Sequence, residues 1–138
     1  MTVTPIESRK IQLKSVIENI QEVEELINSI FEENELSEDY YGNMMVAISE
    51  AVNNAIKHGN KLDENKNVDI TFKHRGDNYQ FTISDEGEGF DYHNLPDPTS
   101  PENIEKPEGR GIFLMKNLAD EVHFSDSGRT IELVFKAF

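Results

Sequence analysis

Hydrophobic and polar positions alternate in a way that lays out the chain before any composition is counted. The first segment, Arg9-Lys10-Ile11-Gln12-Leu13-Lys14, alternates polar and apolar residues and predicts an edge strand. Ile20, Val23, Ile27, Ile30 and Phe31 then recur at helical spacing, predicting a helix over about 18–33. Ser37, followed by acidic Glu38 and Asp39, reads as the N-cap of a second helix. That helix runs through Tyr41, Met44, Met45, Ile48, Val52, Ala55 and Ile56, and Gly59 is placed to end it. Val68, Ile70 and Phe72 alternate over Asp69 and Thr71, and Tyr79, Phe81 and Ile83 alternate again after the turn Arg75-Gly76-Asp77-Asn78, so the two runs form a β-hairpin.

Residues 86–108 hold four of the five prolines and little periodic pattern, and they predict a long loop. Loops of that length inside a compact domain are usually lids or binding loops. A helix over 111–118 follows, and then a closing hairpin from Glu121-Val122-His123-Phe124 to Thr130–Phe135 around Ser127-Gly128. The order β-α-α-β-β-loop-α-β-β predicts an α+β two-layer sandwich, with helices on one face of a mixed, mostly antiparallel sheet. No repeat, low-complexity tract or interdomain linker interrupts it, so residues 1–138 read as a single domain.

Composition narrows the function. The chain has no Cys, which excludes disulfides, thiol catalysis and Cys-ligated zinc. Net charge is −14, from 13 basic and 27 acidic residues, which disfavours binding to nucleic-acid phosphate. No apolar run approaches a membrane span and no signal peptide opens the chain, so the expected location is cytoplasmic, with no membrane or direct nucleic-acid partner. No basic residue lies between Lys14 and Lys57, a stretch holding Glu18, Glu22, Glu24, Glu25, Glu32, Glu33, Glu35, Glu38, Asp39 and Glu50. It reads either as a solvated helical face or as a docking surface for a basic protein.

Three places carry candidate chemistry. On the second helix, Glu50, Asn54 and His58 follow one another at intervals of four, opposite the apolar side formed by Met45, Ile48, Val52, Ala55 and Ile56. This is either a wet helix face or a set of groups aimed at a ligand. Two features favour the ligand: Asn53-Asn54 in mid-helix costs helix propensity, and Ala47, Ala51 and Ala55 are small enough to let something approach. The strand from Tyr79 ends in Asp85-Glu86-Gly87-Glu88-Gly89-Phe90, either a plain turn or a fixed carboxylate at a pocket floor, with glycines that admit a flat ligand. Gly109-Arg110-Gly111 opens the third helix, where free N–H groups and the helix dipole suit phosphate. There is no Walker A loop or Rossmann fingerprint. His58, His74, His93 and His123 are scattered, which disfavours a zinc site, and Ser49 and Ser84 lack the surroundings of a hydrolase nucleophile.

In this order and spacing the three elements resemble the GHKL ATPase/kinase superfamily with its Bergerat nucleotide fold. Residues 49–59, from Ser49-Glu50 to His58-Gly59, look like its N box; Asp85–Phe90 looks like the first glycine box; Gly109–Met115 looks like the second. Length and the His-Gly ending look most like the bacterial anti-sigma factor/serine-protein kinases. The resemblance implies ATP and Mg2+ as cofactors, with Glu50 as general base and Asn54 holding Mg2+. It implies that Asp85 accepts from the adenine amine, that Gly87 and Gly89 shape the adenine pocket, and that Gly109, Arg110 and Gly111 wrap the phosphates. Lys57, His58 and Thr130 complete the nucleotide-binding set.

The resemblance further implies an ATP-dependent serine kinase that binds a sigma factor, phosphorylates a small anti-anti-sigma (STAS-type) protein and forms a homodimer. Where some family members carry an Arg upstream of the second glycine box, this chain has Lys106-Pro107-Glu108. That departure keeps open an alternative, a nucleotide-binding anti-sigma module without kinase activity. A sensor histidine kinase would need a phospho-acceptor helical hairpin for which this length leaves no room.

Overall fold

The computed structural model describes residues 7–34, 36–89 and 107–136. Strand β1 (Glu7–Lys14) leads through a 3-10 turn (Ile17–Asn19) into helices α1 (Ile20–Asn34) and α2 (Glu38–Asn54), and α2 runs on into a π-helical turn (Ala55–Gly59). Strands β2 (Asn67–Arg75) and β3 (Asn78–Ser84) form a hairpin; helix α3 (Pro107–Leu118) and strands β4 (Glu121–Ser125) and β5 (Thr130–Lys136) complete the described elements. Most of the loop expected over 86–108, residues 90–106, lies outside the described residues.

The five strands form one sheet in the order β1-β2-β3-β5-β4, with β1 at an edge as its alternation predicts. Among the described residues every pairing is antiparallel, where the sequence predicts a mixed, mostly antiparallel sheet. Hairpins at β2–β3 and β4–β5 make antiparallel neighbours, and the excursion through α3 and edge strand β4 sets β5 antiparallel beside β3.

Period-two alternation puts one row of each strand into the core. Val68, Ile70 and Phe72 are buried, as are Tyr79, Phe81 and Ile83, whereas Asp69 and Lys73 between them are exposed. Register aligns the rows: Ile70 faces Ile83, Phe72 faces Phe81, and Phe81 in turn faces Leu133. The Phe72 and Phe81 rings lie 4.9 Å apart between centroids. From the helices, α1 contributes Val23, Ile27, Ile30 and Phe31, α2 contributes Met44, Ala47, Ile48, Ala51 and Val52, and α3 contributes Ile112 and Met115. Truncating any of these large side chains to Ala costs about 2–5 kcal/mol. Ser37 caps α2 as expected, its Oγ accepting from the Asp39 amide at 3.3 Å.

The small residues on α2 have a different use from the one the sequence suggests. Ala47, Ala51 and Ala55 are buried in the core. Their size serves close packing inside the protein, not approach of a ligand.

Candidate nucleotide site

At the end of α2 the backbone widens. The Asn60 amide bonds the Ala55 carbonyl at 2.8 Å, five residues back, and the Leu62 amide bonds the Ile56 carbonyl at 2.8 Å. Such π-turns insert an extra residue into the helical spiral and are frequent at functional sites. Here the widened turn changes the facing of residues beyond Asn54, so the four-residue stripe expected from Glu50 through Asn54 does not continue in α-helical register to His58. Lys57 and His58 are exposed on the π-turn.

The widened turn also delivers Gly59 to the end of β3. A Cβ on Gly59 would lie 2.4 Å from the Asp85 carboxylate, and a Cβ on Gly87 would lie 2.1 Å from the Gly59 carbonyl oxygen. Gly87 admits no side chain because its Cβ would strike the Gly59 backbone, and one at Gly59 would displace the Asp85 carboxylate, so the end of the helical segment and the Asp85–Gly89 turn are packed directly on each other. Gly89 has φ +80, and a Cβ there would lie 2.0 Å from the Ser127 carbonyl oxygen, which packs the β4–β5 turn on the same box.

Three consecutive amides of that box have fixed acceptors. The Asp85 amide donates to the Arg129 carbonyl at 3.0 Å. The Glu86 amide donates to Asn60 Oδ1 at 2.7 Å, and the Gly87 amide to Asp85 Oδ1 at 2.8 Å. Burial pushes the Asp85 carboxyl above its ordinary value; the Gly87 amide and the Arg129 guanidinium act in the opposite direction, and Asp126 adds to the rise. Arg129 Nη1 donates to the Gly87 carbonyl at 3.4 Å, while its other nitrogens hold the Asp126 carboxylate at 3.1 and 3.3 Å. Thr130 begins β5 opposite Ser84, and the two hydroxyl oxygens lie 2.9 Å apart.

Glu50 and Asn54 come together on the flank of α2 that meets α3. A Cβ on Gly111 would lie 3.0 Å from both Glu50 Oε2 and Asn54 Nδ2, and 3.6 Å from Asn54 Oδ1. The second glycine box differs from expectation, because α3 starts at Pro107 rather than at Gly111. Pro is pre-set for the first helical position. In an α-helix whose first residue is Pro107, the free first-turn donors are the amides of Glu108 and Gly109, since Pro107 has none, while the amides of Arg110 and Gly111 are committed to carbonyls four residues back. The phosphate-suited cradle is therefore shifted toward the N-terminus, and Gly111 serves instead as the contact surface for Glu50 and Asn54. The Arg110 side chain lies outside the described residues.

Several participants escape a reading of the sequence. Arg129 and Ser127 look like ordinary turn residues. Asn60 follows the N box and is fully buried, yet nothing in its surroundings in the chain announces it. Asn53 Oδ1 is buried with no hydrogen-bond partner among the described residues. The oxygen donors of Glu50 and Asn54 suit Mg2+, which takes one or two protein oxygens and completes its shell with phosphate and water. Among the described residues there is no group of three or more His, Cys, Asp or Glu that could hold a metal ion without such help.

The α+β sandwich, with an acceptor beside close-packed glycines and a carboxylate and a carboxamide at the helix contact, is the architecture of a histidine kinase-like ATPase domain. Residues 13–135 match the family of histidine kinase-like ATPase domains, and the chain belongs to that family. Its similarity extends to the serine-protein kinase RsbW of Staphylococcus epidermidis, 32% identical over 133 residues that cover 91% of this chain and 84% of that protein. The serine-protein kinase RsbW of Staphylococcus aureus (strain JH9) is 38% identical over 96 residues, 64% of this chain and 60% of that one. The fold is shared with the crystal structure of the RsbU and RsbW domains of Rv1364c from Mycobacterium tuberculosis, at a TM-score of 0.69 and 19% identity, covering 95% of this chain and 32% of that one.

Proposed function

We propose that the protein is an anti-sigma factor with ATP-dependent serine-protein kinase activity, whose substrate is a small anti-anti-sigma protein of the STAS type. The observation that carries the reading is the convergence of Glu50 and Asn54 on Gly111. It sets a carboxylate and a carboxamide beside the helix whose first-turn amides suit phosphate. Similarity to two RsbW serine-protein kinases supports it.

In this reading Asp85 accepts from the adenine amine, and Gly59, Gly87 and Gly89 keep side chains out of the base pocket. The Gly109 amide, with the Arg110 side chain, is assigned to the phosphates; Lys57, His58 and Thr130 line the remainder. Asn54, through its amide oxygen, would hold Mg2+, which when bound neutralises phosphate charge that a chain of net charge −14 cannot. Glu50 takes the proton of the acceptor Ser as its Oγ forms a bond to the γ-phosphorus. The bond from that phosphorus to the β,γ-bridging oxygen breaks, and ADP leaves. The chain works as a single domain over 1–138, as a homodimer in the cytoplasm, and regulates transcription by holding a sigma factor. Among the described residues, no helix is long and apolar enough to cross a membrane.

The test is Glu50→Gln, which keeps size and removes the base. Transfer of labelled phosphate from ATP to the partner protein should fall about 100- to 10,000-fold, with ADP and sigma-factor binding nearly unchanged. Transfer at the wild-type rate would remove Glu50 from the mechanism. A second reading, nucleotide binding and sigma-factor sequestration without phosphoryl transfer, is favoured by Lys106-Pro107-Glu108 in place of an upstream Arg. It holds if the wild-type protein binds the sigma factor and ADP but transfers no phosphate.

A further inference from the structure

Asn60 is wholly buried, as is Ser15, which follows β1, and these two are the buried polar residues among those described. Each polar atom of the Asn60 side chain has a partner. Nδ2 donates to Ser15 Oγ at 2.8 Å and to the Asn67 carbonyl at 3.0 Å, and Oδ1 accepts from the Glu86 amide at 2.7 Å. Ser15 Oγ in turn donates to the Lys66 carbonyl at 2.7 Å. The Glu86 carboxylate closes the circuit by accepting from the Asn67 amide at 2.5 Å. Asn60, Asn67 and Glu86 thus form a ring of hydrogen bonds, and Ser15 supports it from below.

The ring sits one residue from Asp85. On the other side of Asp85, its own amide is held by the Arg129 carbonyl. The carboxylate is therefore carried on a peptide segment clamped from both flanks, with Gly59 and Gly87 leaving no side chain to take up slack. Removing the Asn60 carboxamide takes away the acceptor of the Glu86 amide, and the peptide between Asp85 and Glu86 loses what fixes its orientation. Fully satisfied buried networks of this kind hold geometry, and small errors of placement at a binding group cost much of its effect.

We infer that Asn60, itself held by Ser15, is a positioning residue that aims the Asp85 carboxylate at the exocyclic amine of an adenine nucleotide, and so sets the base selectivity of the site. This rests on the assignment of Asp85 to adenine. The consequence is particular to the amine. A displaced carboxylate loses its preference for the 6-amino group of adenine over the 6-oxo group of hypoxanthine, whereas a generally loosened protein loses affinity for both alike.

The test compares ADP and inosine diphosphate, each with Mg2+, by calorimetry on the full chain. Wild type should prefer ADP, and Asp85→Asn should abolish most of that preference. Asn60→Ala, with its folding checked by circular dichroism, should lower the ADP-to-inosine-diphosphate affinity ratio about tenfold, and Ser15→Ala should lower it by a smaller factor in the same direction. If folded Asn60→Ala weakens both ligands equally and keeps the wild-type ratio, Asn60 is a structural residue only and the inference is overturned. Should Asn60→Ala not fold, Ser15→Ala decides by the same criterion. An unchanged ratio in Asp85→Asn, or none in wild type, defeats the adenine assignment itself and the inference with it; an altered ratio in Asp85→Asn alone defeats only the role of Asn60.

Discussion

The α-carbon of Gly59 rests on the Asp85 carboxylate so closely that a methyl group there would lie 2.4 Å from both Cγ and Oδ2. A flexible carboxylate can turn aside, and its hydrogen bond to the Gly87 amide is what it would give up. Gly59→Ala should therefore cost about 1–3 kcal/mol of stability and weaken ADP binding by roughly tenfold or more. Thermal unfolding and calorimetry read the two effects, and wild-type ADP affinity in this variant would contradict the contact.

Asp85 links pH to binding. Its folded carboxyl titrates above its unfolded one, mainly because burial disfavours the charge. Its contribution to folding is therefore full below the ordinary carboxylate range and is lost as pH rises through the raised value, so at neutral pH the charge is a liability to the empty protein. Nucleotide binding has the opposite sign, because the amine needs the ionised acceptor. ADP affinity should fall on acidification through that window in wild type and stay flatter in Asp85→Asn, which should also melt no lower than wild type when empty at pH 7. Parallel pH profiles in the two proteins would contradict this.

Gly111 separates stability from activity. It lies inside α3, where Ala is favoured over Gly by about 1 kcal/mol. A Cβ there presses on Glu50 and Asn54 at 3.0 Å. Gly111→Ala should leave the melting temperature unchanged or slightly raised while reducing phosphate transfer to the partner protein. Full transfer activity in a stable Gly111→Ala protein would show that this contact is not part of the site.

The β4–β5 turn carries local strain. Asp126 and Ser127 have φ of 50 and 56, followed by Gly128 at 90. A left-handed residue other than Gly costs about 1 kcal/mol, and the Ser127 side chain is exposed. Ser127→Gly should therefore stabilise the protein by roughly 0.5–1 kcal/mol, measured by denaturant unfolding, while leaving the Ser127 carbonyl on Gly89. A destabilised variant would indicate that the Ser127 hydroxyl has a partner worth more than the strain.

Much of this protein is legible from its residues alone. Alternation at Val68, Ile70 and Phe72 and at Tyr79, Phe81 and Ile83 marks the strands, because a half-buried strand must place every second side chain in the core. The recurrence of Val23, Ile27 and Ile30 does the same for α1. The pairing of Glu50 with Asn54 is legible too, since four residues of α-helix return a side chain to the same face. So is the close backbone approach at Gly87 and Gly89, whereas Gly59 reads only as a helix stop and Gly111 only as part of a phosphate cradle; their contacts with Asp85 and with Glu50 and Asn54 are not legible.

The tertiary structure decided the rest. The π-turn that carries Gly59 onto Asp85 depends on bonds to residues five and six positions back, which no periodicity of apolar residues encodes. The first turn of α3 takes in the glycines because Pro107 starts a helix as readily as a glycine pair opens one. The all-antiparallel sheet follows from where the chain re-enters after α3. The clamp on Asp85 joins Asn60, Glu86 and Arg129, and its support reaches Ser15, 45 positions from Asn60. Local sequence reports which face of an element is buried; hydrogen bonds across such separations form only once packed elements bring their ends together.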